Sequence, residues 1–242
     1  MPVPSPRPFL DLLFPRDCVL TGEPLGDSRL RYVSDAAAAR LPVIRDPRCP
    51  KCGHPYFGPI EESPACPHCA DLRPAFREGR CGYLLSRDCR TLVHALKYQR
   101  KRHLARDLAA LLAAAPGFLD FLAGAVVVPV PLHPRKQRKR GFNQAEEILG
   151  ELAARAGEAF ETRRLLRRVS QTESQTRATR KERMKRVKGA FEVIDGAEPL
   201  PAGRRYVLFD DVFTTGATLD TCARALRRAG PRRIDVAAFA HG

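Results

Sequence analysis

The stretch Tyr206-Val207-Leu208-Phe209-Asp210-Asp211-Val212-Phe213-Thr214-Thr215-Gly216-Ala217-Thr218-Leu219 leaves the chain few ways to fold. Four apolar or aromatic residues in a row predict a strand covered on both faces, as inside a parallel sheet. Two carboxylates and a small-residue turn follow, and Thr218 to Arg228 then carries apolar residues at helical spacing. Such a strand-turn-helix aims backbone N–H groups and a helix N-terminus at whatever lies above the sheet. Gly216 lets the main chain come close, Ala217 keeps the turn small, and Thr214, Thr215 and Thr218 add hydroxyl donors. Acids beside an anion cradle suit a ligand that joins a phosphate to vicinal hydroxyls: the cradle takes the phosphate, and Asp210 and Asp211 accept from the hydroxyls. Two aspartates alone would equally suit a solvated strand end with a threonine N-cap; the whole run is what favours the ligand.

The 242 residues suffice for one medium domain plus a small one, and 44% apolar content supports a real core. The 42 Lys+Arg against 27 Asp+Glu predict polyanionic partners, either phosphorylated metabolites or nucleic acid. The Pro-rich start lacks an apolar signal core and no run of about 18 apolar residues occurs, so the expectation is a cytoplasmic protein with no membrane span. In that reducing setting the eight cysteines point to metal rather than disulfides. Cys49-Pro50-Lys51-Cys52 and Cys66-Pro67-His68-Cys69 are two CxxC knuckles thirteen residues apart, the spacing of a four-sulfur structural zinc site. Cys18, Cys81, Cys89 and Cys222 stand alone and read as packed thiols.

Three segments follow: an N-terminal extension over 1–44, a zinc ribbon over 45–79, and an α/β domain over 80–242. In the last, strands are expected at Cys81 to Ser86, Ala125 to Val130, Glu161 to Val169, Tyr206 to Phe209 and Arg233 to Phe239. Helices come between them, the first capped by Asp88, which together makes a doubly wound parallel sheet. After the second strand, Arg135, Lys136, Arg138, Lys139 and Arg140 place five cations in six residues. As a basic loop at the carboxyl end of a strand, they would face the same crevice as the acidic pair and hold a pyrophosphate. Alternatives are a solvated charge run or a nucleic-acid patch. Ser170 to Arg183 is polar and reads as a linker or as a flap carrying Arg177, Arg180 and Lys181 over the diphosphate. Lys97 is a weak candidate for reaching a phosphate.

The Asp210–Thr218 run resembles the phosphoribosyl pyrophosphate (PRPP) signature of type I phosphoribosyltransferases. More of the chain, with Cys49, Cys52, Cys66 and Cys69, Leu96-Lys97-Tyr98, Val128-Pro129-Val130-Pro131-Leu132, Arg140-Gly141-Phe142-Asn143-Gln144, Gln175-Thr176 and Arg183 through Phe191, resembles the ComF family. That resemblance implies a type I phosphoribosyltransferase fold with a zinc-ribbon module, PRPP as ligand, Mg2+ accompanying it, and a glycosyl transfer whose acceptor the residues do not identify. It also implies a role in natural transformation, handling internalised single-stranded DNA beside a helicase-like competence protein. Relatives often carry a second cysteine set near the N-terminus; here Thr21, Ser34 and Ala37 stand around Cys18, so the expectation is a degenerate first ribbon and one zinc. The rival reading is a non-catalytic protein binding single-stranded nucleic acid: Pro131 to Ala190 holds 17 Lys+Arg against 7 Asp+Glu. The aromatics in that stretch, Phe142 and Phe160, are too few for base stacking.

Overall fold

The computed structural model describes residues 16–58, 66, 69, 73–98, 101–169, 189–196 and 200–242. The flap residues Arg177, Arg180 and Lys181 lie outside them. Five strands form one parallel sheet: β1 (Gly79–Leu84), β2 (Val126–Pro129), β3 (Glu161–Thr162), β6 (Arg205–Phe213) and β7 (Arg233–His241), in the order β1-β7-β6-β2-β3. Between β3 and β6 the chain makes an antiparallel pair, β4 (Leu166–Arg168) and β5 (Phe191–Val193). The single strand expected over Glu161 to Val169 is therefore two, β3 on the sheet edge and β4 in the hairpin. The other edge is covered: Val43 bridges Tyr83 antiparallel, with Leu84 N–H to the Pro42 carbonyl at 2.8 Å and Ile44 N–H to the Gly82 carbonyl at 2.9 Å.

Helices occupy both faces. A short helix, α1 (Asp35–Ala39), precedes the sheet; α2 (Arg87–Tyr98), α3 (Ala105–Ala114) and α4 (Phe118–Leu122) lie between β1 and β2. Between β2 and β3 come α5 (Pro134–Arg140) and α6 (Gln144–Ala156), and α7 (Ala217–Arg228) joins β6 to β7. Ser86, not Asp88, caps α2, its hydroxyl accepting the Cys89 N–H at 3.2 Å. The five-cation stretch is a helix rather than a loop. Pro134 at its first position has the right φ and no N–H to waste, His133 caps it, and Gly141 closes it. Its Arg138, Lys139 and Arg140 fall in the last turn, where the helix dipole favours cations.

Alternation along the strands divides the core in two. Val127, Val207, Phe209, Ala237 and Phe239 pack with Leu92 and Leu96 of α2, Leu108 and Leu112 of α3, and Leu149 and Leu152 of α6. Val126, Val128, Tyr206, Leu208, Val236 and Ala238 face Leu219, Ala223 and Leu226 of α7. Cys18 joins the first core, and Cys49, Cys52, Cys66 and Cys69 join the second. At the amino end, buried Asp235 holds Arg205 at 2.7 Å and Arg77 at 3.1 Å.

Candidate functional site

β6 outruns its neighbour. Val126–Pro129 of β2 pairs with Tyr206–Phe209, Val130 N–H still reaches the Phe209 carbonyl at 2.9 Å, and Pro131 then has no N–H to offer. Asp210 to Phe213 therefore run on with only β7 beside them. This is also where the strand order reverses, since the chain leaves β2 outward to β3 and later returns on its other side as β6 and β7. Open α/β sheets bind ligands at such a switch point.

The vacated edge is filled by the start of α6. Asn143 caps it, accepting the Ala145 N–H at 3.1 Å while its amide donates to the Val130 carbonyl at 3.0 Å. That places Gln144, whose amide donates to Asp211 Oδ1 at 3.0 Å. Arg140 donates to Gln144 Oε1, and Lys97 from the last turn of α2 forms an ion pair with Asp211 Oδ2. The Asp210 carboxyl curls back to accept the Asp211 N–H at 2.8 Å, so the two acids sit together.

Their environments separate them. Burial, then the Asp211 charge, pushes Asp210 well above the usual carboxylate range. Burial acts the same way on Asp211, but the Lys97 ammonium and hydrogen bonds from Asp210, Lys97 and Gln144 outweigh it and hold that carboxyl low. The pair is thus biased in opposite directions, Asp210 toward the neutral acid and Asp211 toward the carboxylate. It can donate to one hydroxyl, accept from another, and stabilise positive charge developing on a sugar carbon.

Positive charge rings this pair. On α5, Lys136 and Arg140 are half-buried and lie one turn apart, whereas Arg135, Arg138 and Lys139 are exposed. Burial and then the charges of Arg168, Arg140 and Lys97 depress the Lys136 ammonium, which marks those four cations as neighbours. Arg168 comes from β4 and feels both Cys222 and Asp210. Gln144 and Arg168 were not assigned roles from sequence; Gln144 had a signal, its place just after an Asn cap at the end of a basic run. Tyr98 lies beside His94, ring centroids 4.8 Å apart and tilted 38°, and carries the Arg140 guanidinium 5.3 Å over its ring.

The elbow follows directly. Gly216 is left-handed, φ +72°, and a Cβ there would come within 2.8 Å of the Phe213 ring beneath it, so no other residue fits. Phe213 is itself stacked on His241 at 5.0 Å and met edge-on by Phe76. Thr214 is exposed, Thr215 and Thr218 are half-buried, and Ala217 is buried at the first position of α7. Asp220, the acid of that first turn, is occupied by the Ala75 N–H at 2.6 Å and by Arg224 at 2.9 Å.

The ligand atoms of Cys49, Cys52, Cys66 and Cys69 all lie within 4.8 Å of one another and are buried. Cys52 and Cys66 sulfurs are 3.5 Å apart. Four thiolates around a tetrahedral zinc at about 2.3 Å would be separated by roughly 3.8 Å, so this donor set fits a structural zinc. Cys81, Cys89, Cys222 and Cys18 are buried, as packed thiols should be. Among the described residues no helix is long and apolar enough to cross a membrane.

Comparison with known proteins agrees with this geometry. The family model for the phosphoribosyl transferase domain matches residues 139–242, and that for the double zinc ribbon domain matches residues 9–70. A DNA utilization protein YhgH of Salmonella typhimurium is 31% identical over 230 residues, covering 93% of this chain and 96% of its own. Competence protein F of Haemophilus influenzae is 28% identical, with 73% of this chain and 84% of that protein covered. Competence protein ComFC of Bacillus subtilis is 28% identical, with 79% and 76% covered. The parallel sheet with helices on both faces is the phosphoribosyltransferase fold, the four buried cysteines complete its ribbon, and the chain belongs to the ComF family.

Proposed function

We propose that the crevice between β2 and β6 binds PRPP with Mg2+ and that the protein is a phosphoribosyltransferase acting in DNA uptake or utilisation in the cytoplasm. The observation that carries this reading is the buried acidic pair, with Asp211 held by Lys97 and Gln144, set beside the Gly216 elbow and ringed by Lys97, Lys136, Arg140 and Arg168. Thr214, Thr215, Gly216, Ala217 and Thr218 would take the 5-phosphate, and Asp210 and Asp211 the ribose hydroxyls. Lys136 and Arg140 would meet the diphosphate directly. Arg135, Arg138 and Lys139, turned outward, would contribute only a long-range field, and Arg177, Arg180 and Lys181, outside the described residues, would serve as a flap over the diphosphate. Mg2+, when bound, neutralises diphosphate charge. Asp211, as the ionised acid, stabilises positive charge at C1 as the diphosphate leaves. The DNA role comes from the names of the relatives, and a helicase-like competence protein is the expected partner.

Calorimetry tests the site. Asp210→Asn with Asp211→Asn should abolish PRPP binding, and an unchanged affinity would discard the reading. Pyrophosphate release with candidate bases tests turnover.

A second reading has its own observation. Arg73, Arg224, Arg227 and Arg228 line a cavity of about 340 Å³ at the C-terminal end of α7, away from the crevice. Such a cluster suits nucleic-acid phosphates. Affinity for oligo-thymidylate should then fall steeply with salt and survive the double aspartate substitution; a flat salt response would reject it.

A further inference from the structure

Lys97 comes from the penultimate position of α2, and its side chain reaches Asp211 on β6. Its ion pair with Asp211 is largely withdrawn from water: the side chains are 22% and 4% exposed. Charges held this way are stable while paired and costly when one is left alone. The remaining surroundings decide what happens if a ligand takes Asp211. Arg140 is committed to Gln144 and lies over Tyr98. Gln144 is neutral and already donates to the other carboxylate oxygen. Burial, and then the charges of Arg168, Arg140 and Lys97, already depress the Lys136 ammonium. An ammonium displaced from Asp211 thus enters a region with too much positive charge, unless the ligand brings an anion with it.

Resting on the sugar-site reading above, we propose that Lys97 is a transferable counter-ion. It closes Asp211 in the ligand-free protein and passes to the diphosphate of the incoming sugar. The site therefore selects a ribose 5-phosphate that carries a diphosphate over one that does not. Hydroxyl groups of ribose 5-phosphate can replace Lys97 at Asp211 but give the ammonium no new partner. PRPP does both, so Lys97 acts as a specificity-determining residue.

The experiment is calorimetry of the full chain with PRPP and with ribose 5-phosphate, each with Mg2+, for the wild type, Lys97→Met and Lys97→Arg. Lys97→Met should weaken PRPP at least tenfold, about the size of one charge-assisted hydrogen bond. It should leave ribose 5-phosphate as tight as before or tighter. Lys97→Arg, which keeps the charge, should keep most of the preference. A ratio of the two affinities that Lys97→Met does not change overturns the proposal, because damage to the fold would weaken both ligands together. Binding of neither sugar by the wild type overturns the sugar site itself, and the counter-ion role with it.

A pH series adds a readout that packing alone would not move. Asp211 faces Lys97 from α2, Gln144 from α6, Arg140 from α5 and Asp210 on its own strand, with Arg168 and Cys222 beyond Asp210. In the wild type burial raises its carboxyl, but the Lys97 ammonium outweighs this and holds it low. Without the ammonium, burial raises it against only the hydrogen bonds from Asp210 and Gln144. Affinity of Lys97→Met for ribose 5-phosphate should then fall toward acid relative to the wild type, a comparison that cancels the ligand's own phosphate titration. Parallel pH curves for the two proteins would overturn the proposal.

Discussion

Residues 18–23 and 49–54 make the same turn, and among the described residues only the second belongs to a four-cysteine cluster. In the first, Cys18 N–H donates to the Glu23 carbonyl at 2.7 Å and Gly22 N–H to the Cys18 carbonyl at 2.8 Å, with Gly22 at φ +74°. In the second, Cys49 N–H donates to the His54 carbonyl at 2.8 Å and Gly53 N–H to the Cys49 carbonyl at 2.8 Å, with Gly53 at φ +75°. Yet Thr21 stands where Cys52 does. The first knuckle is held by packing and hydrogen bonding. Ser34 N–H still points at the Cys18 sulfur from 3.3 Å, and the Ser34 hydroxyl caps α1 through the Ala37 N–H at 3.2 Å. Burial pushes the Cys18 thiol up, and the donors around it, Ser34 first, more than offset this and bring it to about 7. Buried Asp107 of α3 then accepts the Arg31 and Tyr32 N–H groups at 3.0 and 2.7 Å and ties the unit to the body. A knuckle needs a fixed point beneath it; a zinc or a hydrophobic core can serve.

The two units can be pulled apart experimentally. The largest effect is expected from Cys52→Ser: zinc content should drop from about one per chain to near zero, and the second unit should unfold, because structural zinc contributes on the order of 10 kcal/mol to such small folds. Elemental analysis and thermal unfolding read this, and a full zinc complement would end the contrast. Next, Thr21→Cys with Ser34→Cys and Ala37→Cys should raise the zinc content toward about two, since the backbone turn is already made. A count still near one would show that packing has altered more than the side chains. Asp107→Ala should cost about 2–3 kcal/mol in chemical denaturation, the loss of two hydrogen bonds to a charged acceptor. Cys18→Ala should cost only about 1 kcal/mol and leave the metal content unchanged; loss of zinc there would mean that the first unit is coupled to the second after all.

The readings from sequence fared according to how local their physics was. The buried strand at Tyr206–Phe209 and the helix after the elbow were legible because apolar run and helical period need no partner to be recognised. The five cations were legible as a cluster but not as a helix, since Pro134 at a first helical position and Pro as a breaker look alike until the preceding cap is known. Glu161 to Val169 read as one strand because its residues suit either sheet; only the pairing of Val126 with Glu161 and of Arg168 with Phe191 divided it.

What the chain's order of residues determined by itself was the chemistry on offer: two carboxylates ahead of a threonine-glycine turn, a dense group of cations, and paired thiols at zinc spacing. Tertiary structure alone decided which groups meet. Lys97 and Gln144, 114 and 67 positions before Asp211, converge on one carboxylate because α2 and α6 end or begin at the same sheet edge. The same folding turned Lys136 and Arg140 inward and left their three basic neighbours in water. Charge and burial act through space, and Asp210, whose carboxyl is pushed up, differs from Asp211, whose carboxyl is held low, only by what the fold sets against each.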